Sequence, residues 1–150
     1  MKNLFEPQTV AEVESRISQL RPDSQPLWGS MTSAQAAAHC SSALEWAVGD
    51  TVPPPMFVGR MIGKMIKPMV LKDDVPMRRN SPTAKTLVIL DDKELGFERE
   101  RLNGLIGRFA GGGPTGCTTK PHSFFGKLTP NEWAILMYKH VDHHLRQFGV

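Results

Sequence analysis

Three of the five histidines in this 150-residue chain, His140, His143 and His144, lie within one short stretch, KHVDHHLRQ. His140 and His144 are four residues apart, so on a helix their rings stand one above the other and can converge on one divalent ion of the zinc type. The same spacing also suits solvated rings, or a single histidine hydrogen-bonded in a core, and the choice turns on a third ligand from elsewhere. His39 is the candidate. It stands among small residues in AQAAAHCSSALEWAVG, where an imidazole needs either a hydrogen-bond partner or a metal. With His39, His140 and His144 the count is three imidazoles, that of an open catalytic site whose fourth position takes water or substrate. Such an ion lowers the pKa of a bound water or thiol, or polarises a carbonyl. His143 points about 100° away from its neighbour and is the weaker ligand, while Gln147, three residues past His144, is placed to hydrogen-bond a ligand ring. His143, His122 and Glu45 are the candidates for moving protons near the site.

The ligands must be held by helices. TPNEWAILMYKHVDHHLRQF opens with Thr129, Pro130 and Glu132, a capping box with proline at the first helical position, and Trp133, Leu136, Met137 and Val141 follow at helical spacing. Thr32 and Gln35 make the same box ahead of a helix over about 33–48, which Gly49 closes; its alanines and serines let a neighbouring helix come close. Thr9 and Glu12 suggest a helix over about 9–20, ended by Pro22, with Glu14, Arg16 and Gln19 in water. TVPPP is a stiff connection to an amphipathic helix over about 56–67. In this helix Val58, Met61, Ile62, Met65 and Met69 form an apolar face opposite Arg60, Lys64 and Lys67, and Pro68 bends or ends it. The face suits a substrate pocket beside the metal or, preferably, a homodimer contact; a membrane surface is the minor reading. Residues 72–90 read as a surface loop. A further helix capped by Asp91 or Asp92 buries Leu95, Leu102, Leu105, Ile106 and Phe109, keeps Glu94, Glu98, Arg99 and Arg101 wet, and stops at Gly111-Gly112-Gly113. That glycine run lacks the GK[ST] ending and the preceding strand of a phosphate loop.

Four or five helices without a sustained strand pattern predict an all-α bundle in one domain over residues 1–150, long enough to bury a full core. The net charge is +3 with Lys and Arg scattered, which argues against nucleic acid as a partner. Cys40 and Cys117 have no metal-ligand or disulfide spacing, the N-terminal residues lack a signal-peptide core, and no run has the ~18 apolar residues of a membrane span. The expected location is the cytoplasm.

HVDHHLRQ, with a separate histidine on an early helix after a T-x-x-Q cap, resembles the DinB/YfiT-like metalloenzyme superfamily, and HSFFGKLTPNEWAILMYKHVDHHLRQFG resembles its DUF1569 branch over nearly its whole length. The resemblance implies a four-helix bundle with an unusual connection order, often dimeric, holding zinc or nickel through three histidines. By position these are again His39, His140 and His144. It also implies a small-molecule substrate, with low-molecular-weight thiols used by some relatives and isomerisation or hydrolysis by others. This chain has Leu145-Arg146-Gln147 after the paired histidines where many relatives carry RGQ. Two functions stay open: a metal-dependent transferase, hydrolase or isomerase, and a non-catalytic bundle that binds metal for stability or serves as a dimeric interaction module.

Overall fold

A computed structural model describes residues 1–54, 56–72 and 75–150, and of Phe57 and Val58 the backbone alone. Among them are five α-helices: α1 Pro7–Ile17, α2 Ser33–Val48, α3 Phe57–Leu71, α4 Leu95–Gly116 and α5 Pro130–Gln147, with one 3-10 turn at Lys85–Leu87. The described residues form no strand, only an isolated bridge between His122 and Gly126. None of the helices is long and apolar enough to cross a membrane.

α2 and α5 begin and end as their capping residues require. The hydroxyls of Thr32 and Thr129 accept from the N–H groups of Gln35 and Glu132, whose side chains return the bond to the cap N–H. Gly49 closes α2 in the left-handed region at φ 84°. α2 packs chiefly against α4 and also against α5, α1 lies on α4 and α5, and α3 packs on α5. The small residues Ala36, Ala37, Ala38 and Ala43 are all buried, which lets α2 sit close to its neighbours in the core. Trp133, Leu136, Met137 and Val141 of α5 and Leu102, Ile106 and Phe109 of α4 are buried with them.

Several sequence expectations need correction. α1 starts two residues before Thr9, because Pro7 occupies its first turn and Glu6 is the N-cap; Thr9 is buried and its hydroxyl donates to the Glu6 carboxylate at 2.9 Å. Arg16 does not face water: its guanidinium binds Asp142 at 2.7 Å and the Val150 carbonyl at 2.9 Å, tying α1 to α5. α4 is capped by Glu94, whose carboxylate accepts from Gly96 and Phe97, and not by Asp91 or Asp92. Glu98 is buried on α4 and shares Arg101 with Glu45 of α2. The triple glycine does interrupt α4 as expected: the backbone leaves the helical region at Gly113 (φ 54°, ψ −154°), and a separate short turn from Pro114 follows to Gly116.

α3 runs through Pro68 to Leu71, since its exposed side can dispense with one backbone bond. Its inward edge is Gly59, Gly63, Ile66 and Leu71, and the glycines lie so close to the 122–126 turn that a Cβ at Gly63 would overlap the Phe124 carbonyl and stand 2.7 Å from its carbon. The apolar face is therefore turned outward: Met61, Met65 and Met69 are at least 75% exposed and Ile62 is half exposed. The side chain of Val58, and the segments of the TVPPP connection and the 72–90 loop at residues 55 and 73–74, lie outside the described residues.

Candidate metal centre

His39 projects from the middle of α2, and His140 and His144 project from successive turns of the face of α5 that meets it. The three rings have a candidate ligand atom each within 4.8 Å of one another. Ring centroids are 4.8 Å apart for His39 and His140, 4.7 Å for His39 and His144, and 5.0 Å for His140 and His144, each pair steeply inclined. Rings so inclined aim in-plane lone pairs at a shared point instead of stacking. The Nε2 atoms of His39 and His140 are 2.9 Å apart. Two nitrogens bound to one tetrahedral ion at 2.0–2.1 Å stand about 3.3 Å apart, so a small outward shift admits the ion.

The partners of the other ring nitrogens assign the tautomers. His39 Nδ1 lies 2.8 Å from the Leu87 carbonyl, an acceptor only, so Nδ1 carries the hydrogen and Nε2 the free lone pair. His144 Nδ1 lies 2.9 Å from Gln147 Oε1, while the same amide donates through Nε2 to the Trp28 carbonyl at 2.6 Å. The amide orientation is thereby settled, and His144 also presents a bare Nε2. His140 Nδ1 is buried without a hydrogen-bond partner among the described residues. Three neutral imidazoles, two with their far nitrogens held by oxygen acceptors, form a donor set that could hold a metal ion.

Burial keeps the rings uncharged. His39 and His144 are 3% and 8% exposed, and His140 is half-buried with its Nδ1 out of water. Desolvation pushes all three below the usual histidine range, His144 to about 3, with mutual repulsion adding to it for His140 and His144. Ala36, Ala37, Cys40 and Val141 wall one side of His144 with small apolar groups. Of the four histidines gathered here, His140 and His143 are the partly exposed residues.

The candidate proton carriers are placed differently. The His143 ring packs edge-on to His144 at 5.1 Å and against Trp28 at 5.5 Å, and the Arg79 guanidinium covers the other part of that indole at 4.2 Å. His122 uses Nδ1 to accept from the N–H groups of Phe124 and Phe125, and its ring packs on Trp46, Phe125 and Trp133; burial lowers its pKa to about 4. It is close enough to His140 for its charge to disfavour protonation there. The Glu45 carboxylate is held by Arg101 at 2.6 Å. Leu87 and Trp28 contribute through backbone carbonyls, which carry no side-chain signature; the apolar run Leu87 to Leu90 and the Trp-Gly pair at 28–29 were the only local signals in the sequence. Gln147 bonds a candidate ligand ring from three residues beyond it, where the spacing put it.

Residues 5–149 match the model of a family described as "Protein of unknown function (DUF1569)". Neither a curated protein nor a solved structure matches the chain.

Proposed function

The chain belongs to the DUF1569 family, and from the convergence of its three histidines we propose that it is a metal-dependent enzyme holding one divalent ion, zinc or nickel, through His39, His140 and His144. The observation that carries this reading is the pair of forced tautomers: a backbone carbonyl at His39 and a buried amide at His144 both leave Nε2 bare and facing the same space. Without an ion, His140 Nε2–H is the donor that the bare Nε2 of His39 accepts at 2.9 Å, and that proton must shift to Nδ1 before the ion can take its place, since two bare nitrogens so close repel. When bound, the ion supplies Lewis acidity at its open position, lowering the pKa of a water or thiol or polarising a carbonyl. The protein's own part is to keep the rings neutral, exclude water from the His39 side and present His143 at the open edge as the proton carrier.

The substrate class we propose is a low-molecular-weight thiol transferred to a small electrophile, with hydrolysis or isomerisation of a small molecule as the alternative chemistry of the same centre. We further propose a DinB/YfiT-like four-helix bundle in a single cytoplasmic domain, a reading supported in its all-α part by five helices and no strand among the described residues. Elemental analysis of protein reconstituted with zinc or nickel should find about one ion per chain. His140→Ala and His144→Ala should lose the ion and keep the helical circular dichroism. Wild-type protein that retains no metal after reconstitution overturns the reading. Metal-loaded protein that is inert with small thiols and electrophiles, and with esters and amides, overturns the enzymatic half and leaves a binding module. Unfolding of both alanine variants would make the ion structural instead.

A further inference from the structure

Segment 27–29 meets the end of α5 at three points. Leu27 N–H donates to the Gln147 carbonyl at 2.7 Å, the Gln147 amide donates to the Trp28 carbonyl at 2.6 Å, and Gly29 passes so close that a Cβ there would stand 2.7 Å from Gln147 Nε2. Gly29 has φ +75°, a conformation that side-chain-bearing residues resist. Gln147 is 2% exposed, so no water can replace either amide partner. The Trp28 carbonyl admits only a donor. It therefore turns Nε2 toward itself and leaves Oε1 facing His144 Nδ1 at 2.9 Å.

We propose that Gln147, oriented by the Trp28 carbonyl and given room by Gly29, is the positioning residue of the metal centre: it sets the tautomer and direction of His144 and through them the affinity and ligand field of the ion. The inference rests on the ligand set proposed above. The matching role at His39 falls to a main-chain carbonyl, which the 3-10 turn holds in place. At His144 the role falls to a side chain with several rotatable bonds, so it needs the 27–29 segment to hold it. Both acceptors are neutral. The rings they support stay neutral as well, and the ion keeps its full charge for whatever occupies the open position.

Cobalt(II) titration followed by visible absorption tests this, because the ligand-field bands respond to ring direction and a purely structural contact would not move them. Gln147→Leu should bind cobalt about 10–100-fold more weakly with altered bands. Gln147→Glu still accepts from Nδ1–H but as a carboxylate cannot donate to the Trp28 carbonyl, so it should recover only part of the binding that Gln147→Leu loses. Gly29→Ala should weaken binding in the same direction with Gln147 itself intact, and it carries the test if Gln147→Leu loses its helical circular dichroism. Wild-type affinity and bands in Gln147→Leu, or equal loss in the Leu and Glu variants, overturn the positioning role while the ligand set stands. A wild type that takes up no cobalt overturns the ligand set itself, and this inference with it.

Discussion

A buried neutral histidine resists acid because adding a proton means placing a charge where water cannot reach it. All five histidines have folded pKa values lowered by burial, His122 to about 4 and His144 to about 3. The unfolded chain then binds more protons than the folded one at acid pH. Stability of the metal-free protein is fully present above about pH 6.5 and is lost as pH falls toward 4 and below, at about 1.4 kcal/mol per pH unit for each histidine titrating. Denaturant unfolding at pH 7.5, 5.5 and 4.5 should show this slope. His122→Asn keeps an acceptor for the N–H groups of Phe124 and Phe125 while removing one titrating ring, and it should flatten the slope by about one proton's share. An unchanged slope would mean that His122 titrates normally in the folded chain.

Glycine does opposite things in α3 and α4, and substitution separates them. At Gly63 a methyl group would collide with the backbone of Phe124, which cannot rotate away, so Gly63→Ala should lower the thermal midpoint by several degrees and displace α3 from the 122–126 turn. Gly104 has open space around its missing Cβ inside α4, and Gly104→Ala should raise stability by about 0.5–1 kcal/mol through helix propensity alone. Thermal melts of the two variants should move in opposite directions. The contrast also marks what the sequence could show. α2 and α5 were legible to the residue, because Thr32, Gln35, Gly49, Thr129 and Glu132 are local signals acting on their own turns. The inward glycine edge of α3 was not. Periodicity finds the side of a helix with the most apolar atoms, whereas close approach through Gly59 and Gly63 put the side with the fewest atoms inward. Arg16 escaped because its partner Asp142 is distant in the chain, and Glu98 because its neighbour Arg101 is drawn to Glu45 of α2.

Across the whole molecule, the outward Met61, Ile62, Met65 and Met69 add nothing to the chain's own core. The double substitution Met61→Glu, Met65→Glu should leave the monomer's unfolding free energy within about 0.5 kcal/mol of the wild type, as measured by denaturant titration at high dilution. A larger loss would mean that these side chains are packed. The proposed metal centre is the reverse case, because beyond the α5 residues themselves it draws on parts far away in the chain. His39 and His140 are separated by 101 positions, His39 and the Leu87 carbonyl by 48, and Gln147 and the Trp28 carbonyl by 119. Helices nucleate from neighbours, but these contacts wait until α2, the turn before α4, the 27–29 segment and α5 have all docked. A ribosome delivering this chain N-terminus first thus makes α5, with two of the three proposed ligands, after the other described helices, and a partly assembled bundle would offer an ion no more than scattered imidazoles. Loading becomes a proofreading step: in rapid-mixing refolding, cobalt colour should appear only after the helical signal is complete, so that the ion is captured by finished molecules alone.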